Sequence, residues 1–211
     1  MFQLLLDILF PQKPLVRELE RMDASEFISR VGAPDTRAGK MILSCVSYRD
    51  LLARQAVWEL KYRGNKKVAH LLGAVLYDEI LAFLLEYAPL TNFTDPFLIP
   101  VPISEKRLRE RGWNQCALLA KVLEELDGGR NFTLSHALTK TKDTPSQTKQ
   151  DSRGKRLENL KGCFTADGKA VAGRNIILID DVATTGATLE EARRALRNAG
   201  ARKVIAFTVA H

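Results

Sequence analysis

Hydrophobic positions along this chain follow two rhythms. Short aliphatic runs recur over Met41–Tyr48, Phe97–Val101, Asn131–Leu138, Leu160–Thr165, Arg174–Asp180 and Lys203–Val209. Each predicts a strand. Between them the apolar residues return at helical spacing. Ala24–Val31 is one short pattern. Asp50 caps a helix through about Tyr62, carried by Leu51, Leu52, Val57, Trp58 and Leu60 and broken by Arg63-Gly64-Asn65. A longer helix runs from Lys66 to Tyr87 and stops before Pro89. Trp113–Leu126 follows, ended by Asp127-Gly128-Gly129, and the last helix spans Thr188–Asn198 with Gly200 as its cap. Strands alternating with helices predict an α/β fold, a mostly parallel sheet covered by helices on both faces.

Other stretches break the rhythm. Pro11, Pro14, Gly32, Pro34 and Gly39 punctuate residues 11–40, which otherwise read as irregular. Ile103–Gly112 reads as a polar loop rich in arginine. Thr139–Lys155 is almost free of apolar residues, and a loop of that length is functional or disordered. The chain therefore divides into an N-terminal extension, 1–40, and an α/β domain, 41–211.

Composition narrows the class. The 211 residues are 45% hydrophobic and 27% charged, enough to bury a real core. A net charge of +7 suits a polyanionic ligand, nucleic acid or pyrophosphate, without choosing between them. Cys45, Cys116 and Cys163 are odd in number and widely spaced, so they form neither a disulfide framework nor a zinc-ligand set. They read as small buried hydrophobes, compatible with the cytoplasm. No apolar run reads as long enough to span a bilayer. Phe2–Phe10 is apolar but lacks a basic lead and a cleavage site, so it reads as a short amphipathic helix docked on the body.

The chemistry concentrates at Ile176-Ile177-Leu178-Ile179-Asp180-Asp181-Val182-Ala183-Thr184-Thr185-Gly186-Ala187-Thr188. A buried strand runs into two carboxylates, then into small and hydroxyl residues at a helix N-terminus. Such a turn is a nest for phosphate, and the acids can accept hydrogen bonds from sugar hydroxyls. Neighbouring strand residues point to opposite faces, so both acids converge only if the chain turns there. The plainer alternative is a capped strand-to-helix turn. No lysine follows Gly186, so this is no Walker loop, and one glycine is no dinucleotide fingerprint. His70, His136 and His211 are scattered and suggest no metal site. Trp113 either stacks on a base or anchors the helix behind it.

The string ILIDDVATTGAT closely resembles the phosphoribosyl-pyrophosphate (PRPP) motif of type I phosphoribosyltransferases. LKYRGNK (60–66), IPVPISEKRLRERGWNQ (99–115) and TPSQTKQDSRGKRLENLKGCF (144–164) narrow the likeness to the ComF/GntX family. That family is similar to the transferase domain of glutamine phosphoribosylpyrophosphate amidotransferase. The resemblance implies roles by position. Asp180 and Asp181 would hold the ribose hydroxyls. Ala183, Thr184, Thr185, Gly186, Ala187 and Thr188 would cradle the 5-phosphate. Pro102, Ile103 and Ser104 would begin the pyrophosphate loop, with Arg107 beside it and a strained or cis peptide at Pro100 or Pro102. Thr139–Lys155 would be a mobile hood, bringing Lys140, Lys142 and Arg153 to the pyrophosphate. Mg²⁺ would arrive with PRPP.

One departure from the family stands out. Gln12-Lys13-Pro14 lies where the family's zinc ribbon would place a C-x-x-C pair, so no zinc is expected. The resemblance implies phosphoribosyl transfer to a nitrogen acceptor. Alternatives are a single-stranded DNA uptake module working with competence machinery, and a PRPP-sensing regulator without turnover.

Overall fold

The computed structural model describes residues 14–34, 41–143 and 160–211. Its main sheet has five parallel strands in the order β1-β7-β6-β2-β3: β1 (Ile42–Val46), β2 (Phe97–Pro100), β3 (Thr133–Leu134), β6 (Asn175–Val182) and β7 (Lys203–Ala210). A separate antiparallel ribbon joins β4 (Leu138–Lys140) to β5 (Phe164–Ala166).

β6 is the hub of the sheet. Ile176 and Leu178 pack on one face and Ile177 and Ile179 on the other, all fully buried. That two-sided burial is why its sequence is a continuous aliphatic run rather than an alternation. On one face lie α3 (Leu51–Trp58), α4 (Lys66–Thr91) and most of α6 (Gln115–Asp127). On the other lie α8 (Ala187–Asn198), the β4–β5 ribbon and α7 (Gly168–Val171). The short helices α1 (Pro14–Leu19) and α2 (Ala24–Arg30) pack onto α3 and α4, burying Leu19 and Phe27 completely.

Chain direction locates the crevice. From β6 the chain passes through α8 to β7 on one side. From β2 it passes through α5 (Glu105–Arg111) and α6 to β3 on the other. The connections therefore part between β2 and β6, and a cleft opens beyond the carboxyl ends of those strands.

Several expected elements differ in detail. Residues 11–40 hold α1 as well as α2, because Pro14 occupies a first helical position where its missing N–H costs nothing. α4 continues past Tyr87 through Pro89 to Thr91. Pro89 falls in the last turn, where only one helix bond is given up, and the Thr91 hydroxyl donates to the Tyr87 carbonyl. By length and composition α4 is also apolar enough to cross a membrane, contrary to expectation. Here its Val68, Leu72, Leu76 and Ile80 are buried in the core. Ile103–Gly112 is not a loop: Ser104 caps α5, and Gly112 closes it in the left-handed region. Asn131–Leu138 splits between β3 and the start of β4, and β5 begins only at Phe164. Among the described residues no peptide bond is cis, so Pro100 and Pro102 are both trans.

Candidate functional site

The cleft has a volume of about 600 Å³. Its floor is the end of β6. Asp180 and Asp181 both lie within the strand, which continues to Val182 rather than turning at the acids. Both reach the cleft, and their carboxylate oxygens come within 4.8 Å of one another.

Each acid has its own partner. On one side Lys61 Nζ lies 2.8 Å from Asp181 Oδ2 as an ion pair, although no donor is aligned on that oxygen as a hydrogen bond. On the other the Cys116 thiol donates to Asp180 Oδ1 at 3.3 Å, and the Asp181 N–H donates to the same oxygen at 2.9 Å. Burial, then the adjacent Asp181 carboxylate, pushes Asp180 up to about 7, against the pull of Lys61. Burial works against the Lys61 ammonium, but Asp181 and Asp180 outweigh it and hold it charged above its usual range. The Cys116 thiol is driven far up by burial and both acids, so it stays protonated. Two acids face one lysine here, which leaves the floor an excess of negative character.

Lys61 reaches the acid through an irregular turn. α3 does not end at Tyr62 as an ordinary helix; Glu59–Arg63 widens into a π turn closed by Gly64 in the left-handed region. Trp113 braces that turn. Its indole donates to the Leu60 carbonyl at 3.2 Å, and a Cβ on Gly64 would sit 2.9 Å from the ring. Trp113 thus anchors the turn rather than waiting for a base.

The loop after the acids begins later than expected. The Ala183 N–H donates to the Ala210 carbonyl at 2.9 Å, and His211 Nδ1 sits against the Ala183 carbonyl at 2.5 Å. Ala183 is therefore an extension of the sheet, with no donor to spare. From Thr184 to Gly186 the N–H groups donate to no backbone carbonyl among the described residues. Thr184 and Thr188 line the cleft. Gly186, at φ 74°, is the N-cap of α8 and supplies no side-chain cap. By contrast Asp50, Asn65, Ser104 and Asn114 each cap their helices with side chains. Ala187 is buried as the first residue of α8, and its N–H leans on Thr185 Oγ1 at 3.4 Å.

The opposite wall is basic. Pro102, Ile103, Arg107, Arg111 and Lys140 line it. Burial, with Arg107 close by, pulls Lys140 below its ordinary value. Ser104 is buried and faces elsewhere: it caps α5 and donates to Asp143 Oδ1 at 2.6 Å. That bond, with Lys106 and Arg107 nearby, holds Asp143 below its usual range. Lys142 is exposed, its Nζ near Gly162, and does not line the cleft. Arg153 and the rest of the expected hood, 144–155, lie outside the described residues.

Sequence reasoning passed over Tyr48, Glu110, Gln115 and Cys116, which also line the cleft. It quoted Lys61 and Tyr62 only as part of a motif. The one available signal for Cys116 was its place one residue into a helix that follows the proline loop. Among the described residues the Cys116, Asp180 and Asp181 donor atoms lie within 4.8 Å of one another, a further grouping spacing did not show.

Comparison with known proteins bears on this cleft. Residues 117–211 match the family model described as phosphoribosyl transferase domain. The competence protein ComFC of Bacillus subtilis (strain 168) is 34% identical over 168 residues, covering 79% of this chain and 62% of the relative. The DNA utilization protein YhgH of Escherichia coli (strain K12) is 30% identical over 154 residues, covering 70% and 62%. The chain thus spans about 62% of the length of these relatives. The glutamine PRPP amidotransferase from B. subtilis, solved with ADP and GMP, superposes with a TM-score of 0.41 at 18% identity, over 72% of this chain and 30% of that one. With its parallel sheet, its cleft at the end of β6 and these sequence relatives, the chain belongs to the ComF family of phosphoribosyltransferase-like proteins.

Proposed function

We propose that the cleft binds PRPP, or a closely related phosphoribosyl ligand, and that the chain serves DNA uptake or utilization through it. One observation carries the reading: the acid pair and the uncapped N-terminus of α8 open on the same cleft, facing a basic wall. Asp180 and Asp181 would accept hydrogen bonds from vicinal ribose hydroxyls. The Thr184–Gly186 N–H groups and the Thr184, Thr185 and Thr188 hydroxyls would hold the 5-phosphate, helped by the α8 dipole. Arg107 and Lys140, beside Pro102 and Ile103, would receive the pyrophosphate.

Mg²⁺ fits this donor set. The floor offers two carboxylates against the single Lys61 ammonium, which lies 2.8 Å from Asp181 Oδ2. The Cys116 sulfur is too soft a partner for it, so Asp180 and Asp181 are the residues that would hold it. Held there with PRPP, it would supply charge neutralisation for the pyrophosphate. The protein's part is positioning and electrostatics. In a transfer step the bond from the anomeric carbon to pyrophosphate breaks, a bond to an acceptor nitrogen forms, and the carboxylates stabilise the positive charge between. A PRPP-sensing protein would use the same contacts without turnover. The relatives are a competence protein and a DNA utilization protein, which supports a role in DNA uptake or utilization. The thiols of Cys45 and Cys116 fit a reducing compartment, the cytoplasm.

Calorimetry with PRPP and Mg²⁺ tests the reading. Saturable heat is expected from the native chain, with large losses in Asp180→Asn, Asp181→Asn and Gly186→Val. Unchanged affinity in all of them would overturn it. Isotopic pyrophosphate exchange across a panel of nitrogen bases then separates the enzyme from the sensor.

A further inference from the structure

At the rim of the cleft, Trp58 at the end of α3 and Tyr62 in the π turn are 42% and 53% exposed. Their ring centroids are 5.5 Å apart, tilted by 43°. Each ring carries an arginine. The Arg63 guanidinium lies 5.6 Å from the Trp58 ring, and that of Arg111 lies 5.2 Å from Tyr62. The four groups make one strip, Arg63–Trp58–Tyr62–Arg111.

The strip has a direction. Tyr62 and Arg111 line the cleft, whereas Trp58 and Arg63 stand outside it. It therefore leads from the outer surface to the acid floor. It is also held firmly. Between the two rings Glu59 and Leu60 turn inward and are buried, Glu59 accepting from Gln55 at 3.0 Å. Behind them Trp113 bonds the Leu60 carbonyl. Two half-exposed rings on a braced turn, each bearing a cation, differ from apolar residues scattered singly over a surface.

We propose that this strip is a stacking platform for an unpaired nucleobase bearing phosphate, which it delivers to the mouth of the cleft. A base of any identity offers a flat π face to Trp58 or Tyr62. Arg63 and Arg111 meet the attached phosphates and add cation–π attraction. A duplex has its base faces already stacked and is excluded. The nucleobase arrives either as a mononucleotide or within a single strand.

Tryptophan emission of the full chain reads the contact, since one of its two tryptophans is Trp58 and the other, Trp113, packs against Gly64. The probes are a short oligothymidylate, an abasic strand of equal length, the matched duplex and thymidine monophosphate, all at low salt. Oligothymidylate should quench the emission, and the abasic strand and duplex should not. By competition, Trp58→Ala should lose about ten-fold in affinity and Trp58→Phe should restore most of it. Quenching by thymidine monophosphate at similar concentrations identifies a mononucleotide site; quenching by the strand alone identifies a strand site. Equal binding of the abasic strand, or unchanged affinity in Trp58→Ala, overturns the platform. PRPP heat should persist in Trp58→Ala, which also reports that the variant is folded. The platform and the sugar-phosphate site fail separately, because PRPP heat reads one and base-dependent quenching the other.

Discussion

The two sides of the cleft are built by different means. The β6 side is a buried strand whose acids are fixed by the sheet ladder and by single partners, Lys61 and Cys116. The facing side is assembled from a π turn and a seven-residue helix, with rings and cations half in water. A buried side tolerates few alternatives, because each charge there must keep its partner. An exposed side can vary its residues cheaply, since surface charges contribute little to stability. Rigid chemistry and adaptable recognition are thus separated across a single crevice.

Four outcomes sharpen or break that contrast, from the largest effect to the smallest. Asp181→Asn should abolish measurable PRPP heat. It should also cost on the order of 2–4 kcal/mol in denaturant melts, because Lys61 loses its counter-ion in a largely buried place. Gly64→Ala should cost about 2 kcal/mol, since it adds a Cβ against Trp113 in a left-handed backbone. Both PRPP affinity and base-dependent quenching should fall with it, because the turn carries Lys61 as well as the strip. If only one falls, the two sides are not mechanically joined.

The third outcome concerns pH. Asp180 is raised in the folded state relative to the unfolded chain, so the folded state binds the extra proton between about pH 4 and 7. Stability should therefore fall as pH rises through that window. Thermal melts should show the decline in the native chain and a flatter profile in Asp180→Asn. A native profile that is flat, or that rises with pH, would mean the acid is not held as described. Last, Glu105→Ala removes an exposed pair with Arg109 at 3.5 Å and should shift stability by less than about 0.5 kcal/mol.

What could be read from the sequence divides along the same line. β6, Asp180-Asp181 and Gly186 stand together in one string, because strand burial and the helix N-terminus are local properties with local signatures. Asp50 and the Trp113–Leu126 helix were legible for the same reason. Lys61, Cys116 and Tyr62 were not legible as site residues. They reach the cleft from the π turn and from α6, across separations that only the sheet order closes. The π turn adds a second obstacle, because a widened helix carries no distinct apolar period. The arginine run from Lys106 to Arg111 looked like a loop, since its helix buries no side chain and offers no hydrophobic stripe. Ala183 looked like part of the phosphate nest because spacing does not reveal that its N–H is already spent on β7.

β7 lies between β1 and β6, although it is the last strand of the sheet in chain order. Among the described residues β1 has no other partner, so it must wait through some 150 residues of synthesis before it can pair. A ribosome-bound chain lacking 203–210 would show a naked aliphatic edge on each side of the gap. Its β6 floor would be half supported until β7 arrived. The acid-lined crevice therefore comes together only once β7 has been made, all at once rather than piece by piece.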